Sequence, residues 1–463
     1  MVPAIKIGLE IHAQLNTVTK LFCSCPTQGD QTPNTRTCPT CLGHPGSKPV
    51  VNGEVIKKAV KFGLAIGSKI APALIFSRKT YFYPDMAKNY QITQYEMPLC
   101  SGGSVSLEDG TSIALTRAHL EEDPAATIHM GSYCLVDYNR SGNPLMEIVT
   151  EPVLTSPEQA RDFMKKLLSI LEYLDIHTTG ACVLKADANI SVKESGFSRV
   201  EIKNITGFKE IERALFFEVA RQQQEVGQGH KIARETRGWD AEKGLTYSMR
   251  SKETEEDYGY IIEPDVAPVP ITKKLMDDIK STLPELAHEK IEKFTKRGVT
   301  PEDAKILAME RELAELFEVV AEHIDPMLAA KWLRRELRRV LNQSKKSWQE
   351  VEMDEQHLIQ LLKLVQSKQI TDQTAQKLLD KLIEKPFDVL QYVKNEGLLA
   401  LGGEEELTKL CKEAIDQNPA VVQDIKKGND KAINFIVGQV MKKTKGRATP
   451  QALNEIIKKL LGL

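Results

Sequence analysis

The sequence has no run approaching eighteen consecutive apolar residues, which argues against a membrane-spanning helix. Its first residues, MVPAIKIGLEIH, enter an alternating strand pattern without the basic stretch, apolar segment and cleavage site of a secretory signal. The chain is therefore expected to stay in the cytoplasm. Low-complexity segments and internal repeats are also missing, which argues against a disordered tract or a solenoid. Eight cysteines in 463 residues are too few for a disulfide scaffold. A net charge of −2 announces no polyanionic partner for the chain as a whole. Neither a Ser/Lys amidase signature nor a Cys/His glutaminase signature is present. What is there, 41% hydrophobic and 27% charged residues, describes an ordinary globular chain with room for several domains.

Four of the cysteines cluster. Cys23 and Cys25 precede a polar, turn-rich loop, PTQGDQTPNTRT, and Cys38 and Cys41 follow it in CPTCLG. The second pair has knuckle spacing, and the loop lets two short arms converge on one tetrahedral ion, for which four sulfurs favour zinc. Unligated thiols, or redox use of Cys38 and Cys41, are the alternatives. Cys100, Cys134, Cys182 and Cys411 stand alone, as small core residues do.

Two regimes divide the chain. Up to about residue 292, β-branched and aromatic runs such as IKIGLEIHAQL, RKTYFYP, MEIVTE and ANISVK alternate with turns and a few helical stretches such as SPEQARDFMKKLLSILEYL. These predict an α+β domain over 1–292 with a mixed, largely antiparallel sheet and a cysteine insert at 23–41. Helical periodicity then predicts an all-α domain over 293–403 and a helical tail over 404–463.

Charge is unevenly spread. From Val421 to Leu463 there are nine basic and three acidic residues, among them Lys442, Lys443, Lys445 and Arg447, so the tail could direct a phosphate backbone to itself. A second basic run, KWLRRELRR, stacks Arg334 with Arg338 and Arg335 with Arg339 at helical spacing, which invites a polyanion or a neighbouring acid unless the face is simply solvated.

The acids carry the remaining signal. Alternation along a strand puts Glu10 and His12 on one face, about 6.6 Å apart along the chain. RAHLEEDPAATIH contributes Glu121, Glu122 and Asp123, and NPLMEIVTEP sets Glu147 and Glu151 in an apolar run where a carboxylate is costly unless paired or ligating. Several carboxylates with one imidazole suit Mg²⁺.

The motifs GLEIH, CPTCLGHPG, RKTYFYPDMAKNYQITQY, HLEED, VDYNRSGNPLMEIVTEP, DANISV, EIKN and VGQVMKKTKGRATP, in this order, resemble the B subunit of the glutamyl/aspartyl-tRNA amidotransferases over essentially the whole chain. The resemblance implies a cradle-shaped catalytic domain of glutamine-synthetase-like type followed by helical and tail domains. It implies ATP-dependent phosphorylation, then amidation, of the side-chain carboxylate of Glu on tRNA(Gln) or Asp on tRNA(Asn). Ammonia would come from a separate glutaminase A subunit, with a small C subunit bracing the two. Carried over, Glu10, His12, Glu122 and Glu147 look like the Mg²⁺ shell, with Glu121 and Glu151 beside them. Lys79 and Lys203 would neutralise phosphate, and Asp187 and Asn189 would complete the metal or nucleotide site, unless these four form only sheet ion pairs or hydrogen bonds. The tail lysines and Arg447 would meet tRNA.

Departures from the family pattern occur where PAATIH follows HLEED, where DYGYIIEPD carries Gly259, and in KADAN and KNITGF. Two other readings stand beside this one. One is the paralogous E subunit of the tRNA(Gln)-specific archaeal enzyme, for whose inserted domain there is no room after EPDVAPVPIT. The other is a non-catalytic, zinc-containing tRNA-binding scaffold, which would have no use for clustered acids.

Overall fold

A computed structural model describes residues 4–251, 258–346, 348–400, 404–426, 432–444 and 447–462. The chain forms two compact units, Met1–Leu286 and Ala287–Leu463. The division falls before the position read from composition because the helix Ala287–Lys296 belongs with the helices C-terminal to it. Phe294 of that helix packs edge-on against Phe317 at 4.5 Å, and Lys290 pairs with Glu318.

The first unit is built on a ten-stranded sheet. Its principal strands are β1 (Ile5–Gln14), β2 (Ser112–Glu122), β3 (Pro144–Thr150), β4 (Leu184–Val192), β5 (Val200–Ile205), β6 (Glu235–Asp240) and β7 (Leu245–Ser251). They lie in the order β7-β6-β5-β4-β1-β3-β2, continued by the short strands Cys100–Ser101 and Lys69–Ile70, while Ser104–Ser106 also pairs with β2. Pairing is antiparallel except between β5 and β6. That pair is joined by a helix, as a parallel connection requires. The sheet is thus mixed and mostly antiparallel, and the chain beyond it is helical, as the composition predicts.

The longer helices that accompany the sheet are α1 (Gly53–Ala65), α2 (Pro157–Tyr173) and α3 (Phe208–Gly227), the last being the β5–β6 connection, and a short helix, Lys273–Lys280, adds Ile279 to the same core. In α2, Ser156 accepts from the Gln159 backbone N–H and Pro157 occupies the first turn, a combination that sets a helix start. Ile7, Leu9, Ile11 and Ala13 of β1 are at most 1% exposed and share one core with Phe163, Leu167 and Leu171 of α2 and with Ile211, Ala214 and Leu215 of α3. One face of the sheet is therefore closed by apolar packing. The alternate residues of the same strands are free to carry charge on the other face.

A smaller three-stranded sheet, Gly259–Ile262 with Ser77–Thr80 and Tyr90–Thr93, carries Lys79. In the second unit the periodic stretch from Thr300 divides into helices Pro301–Ala308 and Arg311–Val320, and Trp332–Leu337 winds as a π-helical segment. The tail has its own apolar cluster, including Leu407, Cys411, Ile436, Val440, Leu453 and Ile457. The second domain boundary expected, at 403/404, falls at residues outside those described.

Candidate active site

Strand register assembles the site. His12 of β1 stands directly opposite Glu147 of β3, and Glu147 directly opposite His119 of β2. Glu10 lies opposite Asp187 of β4, and Glu121 lies two residues beyond His119 and therefore on the same face. His12 Nε2 is 3.4 Å from Glu121 Oε1, 3.7 Å from Glu147 Oε2 and 4.0 Å from Glu10 Oε1. His119 Nε2 is 3.8 Å from Glu147 Oε2 and 4.0 Å from Glu121 Oε2. Two trios, Glu10 with His12 and Glu147, and His119 with Glu121 and Glu147, each place one ligand atom per residue within 4.8 Å of the others. Glu147 belongs to both.

Few local partners relieve this crowding. Glu147 accepts from Arg117 at 3.2 Å, and Glu121 from the Thr93 hydroxyl at 3.5 Å. Burial pushes the Glu121 carboxyl up to about 7, and burial with the neighbouring Glu147 charge raises Glu10. For His12 the opposing effect of burial is outweighed by Glu121, Glu147 and Glu10, which raise it; burial lowers His119. Glu147 is lowered in spite of burial by His119, His12 and Arg117. The buried His119 Nδ1 has no hydrogen-bond partner. Two carboxyls raised by burial around a third that is held ionised, with one imidazole in each trio, are what a divalent cation with a preference for oxygen would relieve. The residues fit Mg²⁺.

The other site residues expected from sequence fall as follows. Glu122 is absent from the group: as the neighbour of Glu121 on one strand it points the opposite way, pairs with Lys88 and accepts from the Ile92 backbone N–H at 2.8 Å. Glu121 stands where Glu122 was expected. Glu151, just past β3, accepts from the Thr116 hydroxyl at 2.8 Å. Asp187 faces Glu10 and is held at 2.9 Å by Lys203, which also lies 3.6 Å from Glu201. Asn189 accepts from Arg199 at 2.7 Å. Lys79 lies over the Tyr258 ring at 4.6 Å, and among the described residues no carboxylate is within ion-pair distance of it. Its charge is nonetheless felt by His119, Glu121 and Glu147. His119 and Arg117 were missed from sequence, although their shared parity with Glu121 in TRAHLEE was a usable signal.

The four cysteine sulfurs of Cys23, Cys25, Cys38 and Cys41 lie within 4.8 Å of one another. Cys38 N–H donates to Cys41 Sγ at 3.1 Å, a knuckle-like contact. Hydrogen bonding from Cys23 foremost lowers the Cys41 thiol to about 5, whereas burial foremost raises Cys25 to about 11. Four sulfurs at these spacings, with no fifth ligand needed, fit a structural zinc.

In the tail, Lys442 and Lys443 end the helix Ile433–Lys443 and are exposed, Lys443 lying 3.7 Å from Glu413. Arg447 donates to the carbonyls of Thr444 at 3.2 Å and Gly397 at 3.1 Å. Lys445 lies outside the described residues. The second basic run is met by acids: Arg334 by Asp303 and Glu302, Arg338 by Glu310, and Arg339 by Glu336 and Asp380. Of the alternatives for that run, neighbouring acids account for Arg334, Arg338 and Arg339.

An acid-and-imidazole sheet face and a four-sulfur knuckle in one domain, with a helical region after it, is the arrangement of a catalytic domain joined to a helical one. The sequence model of the GatB/GatE catalytic domain matches residues 5–277, and that of the GatB domain matches residues 315–461. The chain is 44% identical to the B subunit of the aspartyl/glutamyl-tRNA(Asn/Gln) amidotransferase of Sulfurisphaera tokodaii, over 99% of this chain and all of the relative. It is 44% identical to the corresponding B subunit of Thermotoga maritima and 41% to that of Thermoanaerobacter pseudethanolicus, each over 98% of both chains. The chain belongs to the GatB family of amidotransferase subunits, which are ligases.

Proposed function

We propose that this chain activates and amidates the side-chain carboxylate of Glu carried by tRNA(Gln), of Asp carried by tRNA(Asn), or of both. The full-length match to relatives named for those two tRNAs carries the reading. A carboxylate resists ammonia because its leaving group would be oxide. Transfer of a phosphoryl group from ATP replaces oxide with phosphate, which ammonia can displace. Mg²⁺ at this site would supply charge neutralisation to the phosphates and hold them in line.

The residues of the sheet face supply position. Glu147, shared by both trios and braced by Arg117 and the two imidazoles, would be the central ligand, with Glu10, His12 and Glu121 as the further residues that would hold the ion. Asp187 extends this shell, held in place by Lys203, whose pairing with two acids suits it to orientation more than to phosphate contact. Lys79, with no carboxylate partner among the described residues, is the better candidate for a phosphate oxygen. Asn189, bound to Arg199, would act only at the edge of the nucleotide site. Glu122, tied to Lys88 and the Ile92 N–H, supports the base of β2.

Zinc on the four cysteines would be structural. Ammonia is to be delivered by a separate glutaminase A subunit, with a small C subunit bracing the complex, and must be shielded from water while neutral. The tail would dock on tRNA through Lys442 and Lys443, with Lys445; Arg447 is already spent on two carbonyls. Among the described residues no helix is long and apolar enough to cross a membrane, and the chemistry belongs in the cytoplasm with translation.

The test is tRNA-dependent ATP hydrolysis in the reconstituted complex. Hydrolysis stimulated by glutamyl-tRNA(Gln) or aspartyl-tRNA(Asn), and lost in Glu147→Gln, is expected. Tight tRNA binding with no tRNA-dependent hydrolysis would favour the non-catalytic scaffold.

A further inference from the structure

Lys20 is a lysine with no exposure at all, an uncommon place for an ammonium. Its Nζ has three acceptors for three hydrogens: the Arg36 carbonyl at 2.8 Å, the Tyr138 carbonyl at 3.4 Å and Cys41 Sγ at 3.8 Å. No carboxylate lies within ion-pair distance of it among the described residues, and the nearby Glu122 is already taken by Lys88. Two carbonyl dipoles do not balance a buried positive charge, and an unbalanced one is strongly unfavourable even after the surroundings relax.

The sulfur cluster supplies the balance. Four neutral thiols would not, but four thiolates around a divalent zinc carry a net charge of about −2. A cation donating to one of those sulfurs removes half of that excess and draws electron density from the metal's ligand. We infer that Lys20 is the charge partner of the four-cysteine site, a positioning residue that acts on the metal through Cys41 and at the same time joins the metal loop to the turn leading into β3. This role rests on the zinc reading under Proposed function. Its second half comes from the other two acceptors. Arg36 lies in the loop between the cysteine pairs. Tyr138 opens the turn whose Gly142 donates to the Asp123 carbonyl at 2.9 Å and whose Asn143 carbonyl accepts from Asp123 at 2.9 Å, prolonging the β2–β3 ladder that carries Glu121 and Glu147. Partners beyond the ligands themselves typically change metal affinity about 10-fold to 100-fold when removed.

The experiment compares zinc release from the full-length wild type and Lys20→Met, which keeps the shape of the side chain and removes its charge. Zinc transfer to a chromogenic chelator should be about 10-fold faster or more in the variant, with zinc content before challenge near one per chain in both. Equal release rates from two folded, zinc-loaded proteins would overturn the role of Lys20 while leaving the zinc reading intact. A wild type purified under metal-replete conditions without zinc would overturn the zinc reading and the inference with it. If Lys20→Met does not fold, the wild type decides: loaded with ¹¹³Cd and labelled with ¹⁵N-lysine, it should show a correlation between the metal and the ζ-protons of one lysine, transmitted through the N–H···S contact. A metal-loaded wild type without that correlation would overturn the proposal.

Discussion

His12 and Glu147 face each other across adjacent antiparallel strands, with Nε2 3.7 Å from Oε2, and Glu147 in turn faces His119 at 3.8 Å. A single carboxylate held between two imidazoles on three neighbouring strands is the centre of the site, and its removal is the most informative change to make.

Glu147→Gln should weaken binding of Mn²⁺, used as a paramagnetic probe for Mg²⁺, by about 10-fold to 100-fold or more. Glu122→Gln should leave that affinity within about 3-fold of wild type, because its carboxylate is on the other side of β2 with Lys88. Electron paramagnetic resonance titration of both variants measures the contrast; equal losses would mean that the site is not bounded by strand parity.

Titration of Glu121 should make the metal-free protein less stable as pH rises, against the opposite contribution of His119, whose lowered value favours the folded state as pH rises toward 6.5. Glu121 is raised from its ordinary 4.5 to about 7, so the folded state holds a proton there that the unfolded state releases. Stability present below about pH 4.5 is then lost as pH rises toward about 7, by at most about 3 kcal/mol for such a shift. His12, also raised, adds to the same trend, because its stabilising proton is lost as pH rises through its folded value. Thermal unfolding across this window should show a flatter pH dependence in Glu121→Gln, and Mg²⁺ should protect the wild type more at the alkaline end. Parallel pH profiles for wild type and variant would contradict this.

Cys41→Ser should abolish stoichiometric zinc while the three other cysteines remain. Elemental analysis of the purified variant is the check, with the wild type expected near one zinc per chain. Because the cysteine loop is bonded to the turn before β3, through Ser141 to the Cys41 carbonyl at 3.4 Å and Arg36 N–H to Asn139 at 2.7 Å, the variant should also unfold at lower temperature.

Tail residues should separate by function. Lys442→Ala, at an exposed position, should weaken tRNA binding uniformly and reduce the slope of log affinity against log salt by about 1. Arg447→Ala should instead cost stability, on the order of 1 kcal/mol for each hydrogen bond to the Thr444 and Gly397 carbonyls. Filter-binding across a salt series and thermal unfolding of the two variants distinguish these effects. An unchanged salt slope in Lys442→Ala would assign that charge to something other than tRNA.

Local patterns of residues were enough for the α+β domain with helices after it, the knuckle spacing of Cys38 and Cys41, and the shared face of Glu10 and His12. Each of these depends on neighbours within a few positions: period-two alternation, turn residues, and the reach of short ligand arms. The parity that unites Arg117, His119 and Glu121 was legible too, although three adjacent acids in HLEED obscured which of them turns toward the site. That choice is made by the folded sheet. Glu121 and not Glu122 joins His12 because β2 pairs with β3 in a register that sets His119 opposite Glu147, and register between strands more than twenty residues apart is chosen by the apolar packing of the opposite sheet face. The same distance in sequence hid the acids that meet the second basic run: Asp303 and Asp380 come from other helices and Glu310 from the cap of another, and only folding brings them to Arg334, Arg338 and Arg339. Lys20 is the extreme case. It is an ordinary lysine in a polar stretch of sequence, and it becomes a buried cation beside four sulfurs only because the cysteine loop and the turn before β3 close over it.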